Sequence, residues 1–83
     1  MTKILFFSAD YCVQCKVFKP RFEAEIQRLS LEPYVEYIDC DKDEETPSKY
    51  GIRSIPYVVV ENDGELIGRG SAGVMIPNLK NLV

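Results

Sequence analysis

Apolar residues run unbroken from Ile4 to Phe7, then give way to a spaced pattern. The Ile-Leu-Phe-Phe run is apolar on both faces of an extended chain, so Thr2 to Ser8 is expected to form a central strand covered on two sides. From Val13 to about Ser30, Phe18, Phe22, Ile26 and Leu29 recur at helical spacing, while Lys19, Glu23 and Gln27 fall elsewhere. This predicts a helix, kinked at Pro20, where one backbone hydrogen bond is lost. Pro33 marks a connection, and Val35 to Cys40 alternates as a second strand. Thr46-Pro47 has the form of an N-cap followed by proline at the first helical position, and Gly51 ends that short helix. Tyr57 to Glu61 is a third strand, Asn62-Asp63-Gly64 a hairpin signal, and Glu65 to Arg69 the returning strand. Gly68, Gly70 and Gly73 loosen the chain before a final helix that Pro77 starts and Leu79 and Leu82 anchor.

The predicted order is β-α-β-α-β-β-α, an α/β class with a four-stranded mixed sheet flanked by helices. A helix joins the first two strands, so they should be parallel. The last two form an antiparallel hairpin. With 83 residues, no repeat and no linker, residues 1–83 are expected to form one domain.

Composition narrows the function classes. At 46% hydrophobic and 28% charged the chain is ordinary for a globular protein. A net charge of -3 without a Lys/Arg cluster argues against nucleic-acid binding. No apolar stretch is long enough to span a membrane. Met1-Thr2-Lys3 leads directly into a strand without a small-residue cleavage site, which argues against a secretory signal. The acidic stretch Asp41 to Glu45 reads as a solvated loop.

The chemistry resides in Tyr11-Cys12-Val13-Gln14-Cys15-Lys16, where a strand gives way to a helix. Two thiols three positions apart at such a junction can close into a small disulfide and reopen. At the helix N-terminus the Cys12 sulfur meets unpaired N–H groups and the positive end of the helix dipole, both of which favour thiolate. Asp10 opposes that effect and Lys16 reinforces it. The same Cys-x-x-Cys could be half of a zinc site. The chain has no His, however, and Cys40 with a carboxylate would make a poor ligand set. Three cysteines do not suit a secreted disulfide scaffold, so a reducing cytoplasm is expected. Cys40 itself reads as a buried small hydrophobe.

Three segments together resemble the thioredoxin family. Phe7 to Lys16 is similar to the family's active-site strand, turn and helix, with Pro20 at its kinking proline. Lys49 to Pro56 resembles the run leading to its cis-proline. Asp63-Gly64-Glu65-Leu66, followed by glycines, resembles its terminal hairpin. The match covers nearly the whole chain in a minimal form, without the extra N-terminal strand and helix of full-length thioredoxins. The length is that of glutaredoxins. Val13-Gln14 is neither the usual thioredoxin Gly-Pro nor the usual glutaredoxin Pro-Tyr. Cys-x-Gln-Cys resembles small glutaredoxin-like redoxins that reduce ribonucleotide reductase, and such compact redoxins include phage-encoded ones.

The resemblance implies roles. Cys12 would be the nucleophile and Cys15, a turn inward and more buried, the resolving thiol. Their redox-active disulfide would serve in place of any cofactor or metal. Pro56 would follow a cis bond that turns the Ile55 backbone toward the disulfide, where an extended substrate could pair with it. Tyr11, Val13 and Gln14 would form an exposed collar, with Tyr11 in place of the usual Trp. Ala72 and Gly73, after Ser71, would form the loop that completes the substrate surface. Tyr57 would line the edge of the site or pack. Thioredoxins also place a buried Asp under the second cysteine with a Lys nearby. Phe6 and Tyr37 would occupy those positions here, leaving water, Asp39 or nothing to carry the proton.

The function this implies is reduction of protein disulfides by a monomer recharged by a thioredoxin reductase, with ribonucleotide reductase as a candidate substrate. A glutathione-dependent glutaredoxin is the alternative, although Ser71-Ala72-Gly73-Val74 offers no clear glutathione-binding equivalent. A zinc-binding or interaction module is a third.

Overall fold

The run Ile4–Phe7 lies in the middle of the sheet, as its two-sided hydrophobicity requires. The computed structural model describes residues 1–83, with strand β1 spanning Thr2–Ser8, α1 Val13–Arg28 and β2 Val35–Asp39. They are followed by α2 at Glu45–Tyr50, β3 at Tyr57–Asn62, β4 at Glu65–Ser71 and α3 at Ala72–Leu82. The sheet order is β2-β1-β3-β4. β1 and β2 are parallel, with Ile4 opposite Val35 and Ser8 opposite Asp39. β3 runs antiparallel to both β1 and β4. The expected four-stranded mixed sheet flanked by helices is therefore the observed fold.

Alternation along β1 sends side chains to two cores. Ile4 and Phe6 join Val58 and Val60 on the face covered by Phe22 and Ile26 of α1 and by Ala72, Met75 and Leu79 of α3. Leu5 and Phe7 join Ile38 and Val59 on the other face, where Tyr50, Ile52 and Ile55 pack. Phe6 and Phe22 stack tilted at 4.5 Å between centroids, and the Tyr37 ring meets both edge-on. α1 continues through Pro20 and stops at Arg28, two residues before the predicted end. Ser30 there adopts a left-handed conformation (φ 56°) that no helix can include.

The hairpin closes through Asp63 and Gly64, both at positive φ, in the two-residue turn that matches strand twist. β4 then continues to Ser71, past the predicted Arg69. The final helix starts at Ala72 and not at Pro77, which sits inside it. The residues before Pro77 are apolar, and Ala72, Met75 and Leu79 recur on one buried face. Gly68 and Gly70 do not loosen the chain. A Cβ on Gly68 would come within 3.0 Å of Leu82, so its bareness lets α3 lie close against β4. β2 ends at Asp39, one residue short of Cys40, and β3 runs one residue past Glu61.

α2 also starts earlier than Thr46-Pro47 predicts. Thr46 lies inside it, and the Asp43 carboxylate receives both the Thr46 N–H (2.9 Å) and its hydroxyl (2.7 Å). A carboxylate satisfies a first-turn N–H better than the Thr hydroxyl, which becomes a donor instead. Gly51 ends the helix in a left-handed conformation, as expected.

Phe22 is fully buried between two aromatic rings. Phe22→Ala should cost about 3–5 kcal/mol of folding stability, measured as a lowered urea midpoint.

Candidate active site

β1 ends at Ser8, and the turn through Ala9 to Cys12 carries the chain into α1. Cys12 N–H donates to the Ala9 carbonyl at 3.1 Å, closing the turn. Cys12 then occupies the N-cap of α1 in extended conformation, and its sulfur accepts the Cys15 N–H at 3.1 Å. This sulfur does what a Ser or Asp oxygen does at ordinary N-caps. One backbone N–H is thus aimed at it, at the positive end of the helix.

Cys12 is half-buried, whereas Cys15 is 3% exposed. Burial pushes the Cys15 thiol up from its usual 9.0 to about 11, helped by its hydrogen bond to Cys12 and by negative charge at Cys12 and Cys40. The Ala9 N–H works in the opposite direction. All three thiols are free in this structure. The two sulfurs thus differ in environment: one faces helix N–H groups at the surface, and the other is enclosed and held neutral.

The Ile55–Pro56 bond is cis, and the Ile55 carbonyl lies 3.9 Å from the Cys12 sulfur. Ile55 makes no backbone–backbone hydrogen bond, and its carbonyl is the acceptor that faces the Cys12 thiol. The Pro56 carbonyl accepts the Ala72 N–H at 3.1 Å, which ties the first turn of α3 to the site. Ala72 and Gly73 are therefore helical, not a loop, because that bond and the burial of Ala72 start the helix there. A Cβ on Gly73 would meet the Phe18 ring at 3.5 Å. Between these elements runs a groove of about 260 Å³ lined by Gln14, Phe18, Ile55, Pro56, Ala72 and Gly73, with Ser54 and Ser71.

Tyr11 and Val13 are about three-quarters exposed, and Gln14 is exposed beside them. Tyr11 faces a second, smaller hollow of about 180 Å³ shared with Cys40, Pro47, Ile52, Arg53 and Ile55. Cys40 is only half-buried, because it falls just past the end of β2. Its N–H donates to the Ser8 carbonyl at 2.8 Å. Burial, followed by the carboxylates of Asp39, Asp41 and Asp43, raises its thiol and disfavours ionisation. Tyr57 packs with the core on the α2 face, and its hydroxyl accepts from Arg69 Nε at 3.1 Å. Arg69 also donates to the Tyr50 carbonyl at 2.7 Å and so fixes the end of α2. Phe6 is fully buried, and Lys19 Nζ lies 5.3 Å from the Tyr37 ring centre. No group of three or more His, Cys, Asp or Glu side chains is placed to hold a metal ion.

Sequence reasoning named the two cysteines, the collar and the cis-proline pair, and the structure brings them together. It missed Ala9, Phe18 and Ser54. Phe18 was visible only as a core position, and nothing local marks Ala9 as the N–H facing Cys15.

A dithiol at a helix N-terminus beside a cis-proline, on this sheet order, defines a class, and the comparisons agree. The family model described as Thioredoxin matches residues 2–82. Thioredoxin of Bacillus subtilis is 38% identical over 61 residues, covering 74% of this chain and 59% of that protein. Thioredoxin of Mycoplasmoides gallisepticum is 34% identical over 77 residues, covering 93% of this chain and 76% of that one. The Drosophila melanogaster thioredoxin Deadhead superposes with a TM-score of 0.85 at 23% identity, over 99% of this chain and 81% of that one. The chain belongs to the thioredoxin family. It spans about three-fifths of the length of the Bacillus relative.

Because Cys15 stays protonated in the folded chain where an unfolded thiol ionises, stability is full below about pH 9 and is lost as pH rises toward about 11. Urea midpoints of the reduced protein should fall between about pH 8 and about pH 10.5. Cys15→Ala should make that fall shallower without removing it, since Cys40, Tyr37 and Tyr50 are also raised.

Proposed function

We propose that the protein reduces protein disulfides by dithiol exchange through Cys12 and Cys15. The observation that carries this reading is the Cys12 sulfur at the N-terminus of α1, receiving the Cys15 N–H at 3.1 Å beside the Ile55 carbonyl. The Cys12 thiolate attacks a substrate disulfide, forming a mixed disulfide and releasing one substrate thiolate. Cys15 then attacks Cys12 and displaces the second, leaving a Cys12–Cys15 disulfide. The substrate lies extended along Ile55 and Pro56, between Gln14 and the Ala72–Gly73 turn, with Tyr11 and Val13 at its flanks. No cofactor or metal takes part.

A thioredoxin reductase recharges the disulfide, and ribonucleotide reductase is the leading substrate. The family supports the reductase, and the Cys-x-Gln-Cys spacing supports the substrate. The protein acts as a monomeric single domain in a reducing cytoplasm. No helix of the chain is long and apolar enough to cross a membrane.

Cys12→Ser should abolish insulin-disulfide reduction, while Cys15→Ser should accumulate mixed disulfides visible by mass. Retained turnover in the Cys12→Ser form would reverse the assignment.

With NADPH as electron source, thioredoxin reductase should recycle the oxidised protein. Glutathione with glutathione reductase should not. The opposite result would make it a glutaredoxin.

A further inference from the structure

Cys15 has to lose a proton before it can attack, and the core around it offers no acceptor. No polar or charged residue is buried in the chain, and the position under the family's second cysteine is the fully buried Phe6. One opening reaches the thiol. A cleft of about 140 Å³ is lined by Ser8, Ala9, Asp10, Cys15, Lys16 and Lys19. The substrate groove along Pro56 does not include Cys15 among its walls. The groove and the cleft share no lining residue. The cleft is polar and roomy, well above the ~10–15 Å³ that a water molecule needs.

Asp10 is the one carboxylate of the cleft. Lys16 and Lys19 line its helix side. The charges that act on Cys15 itself are Cys12 on its own helix and Cys40 beyond β2. Asp39, Asp41 and Asp43 flank Cys40 and are not in the cleft wall.

We propose that this cleft is the proton exit of the resolving thiol, with Asp10 as the positioning residue that draws the proton from Cys15 through water. The inference rests on the dithiol reading above. In the step, the Cys15 S–H proton passes through cleft water to the Asp10 carboxylate and on to solvent. The Cys15 sulfur pair forms the bond to Cys12, and the Cys12–substrate S–S bond breaks. Its electron pair leaves on the substrate sulfur as a thiolate. Nothing further is consumed.

The test is rapid mixing of the reduced full chain with an aromatic disulfide whose thiolate product is coloured. Attack by Cys12 releases the first equivalent and resolution by Cys15 the second. Asp10→Asn should leave the first phase within about twofold and slow the second at least about fivefold at pH 7. The difference should vanish above about pH 10, where hydroxide takes the proton, and Asp10→Glu should recover most of the second phase. An unchanged second phase at pH 7, equal slowing of both phases, or no recovery in Asp10→Glu would overturn the proposal. Release of only one equivalent by the unaltered protein would instead defeat the dithiol reading itself.

Discussion

The hydrogen bond from the Cys15 N–H to the Cys12 sulfur is the contact on which the site depends. It makes a sulfur the N-cap of α1, and so it ties the start of the helix to the reactive atom. The helix can begin there only because β1 ends at Ser8, and the Cys12 N–H closes the turn onto Ala9. β1 in turn is held in the middle of the sheet by its unbroken apolar run. Moving any of these would move the sulfur away from the Ile55 backbone and leave the first N–H groups of α1 without a partner.

A second link joins the far end of the chain to the same place. The Ala72 N–H donates to the Pro56 carbonyl, so the N-terminus of α3 and the cis-proline segment share one bond. Gly68 lets α3 approach β4. The groove beside Cys12 is therefore walled by secondary structure on both sides. A rigid groove suits an extended segment, because little order has to be gained when it binds.

Beside the site, Phe6 and Tyr37 form an aromatic cluster with Phe22. Burying rings there adds apolar contact. Burial holds the Cys15 thiol neutral, and the cleft beside it is walled by Ser8, Ala9, Asp10, Lys16 and Lys19. Burial, and after it the carboxylates of Asp39, Asp41 and Asp43, disfavour a thiolate at Cys40.

Much of this was written locally. The β1 run, the helical spacing of Phe18, Phe22 and Ile26, and the Asp63-Gly64 turn each state a structure that neighbours in sequence enforce. So does Cys-x-x-Cys, because three residues of helix bring the Cys15 N–H back onto the Cys12 sulfur. The starts of α2 and α3 were not legible in the same way. Thr46-Pro47 and Pro77 look like first-turn signals, but Asp43 and the Pro56 carbonyl supply the partners that decide where each helix begins. The amino-acid order by itself determined the elements, the family and the reactive pair, since these rest on periodicity and short spacing. Only the tertiary structure decided that Cys15 is enclosed, that Ile55 faces Cys12 and that Ala72 begins a helix. Each of those depends on residues from different elements meeting, Cys12 with Ile55 and Ala72 with Pro56 among them, at distances no local pattern encodes.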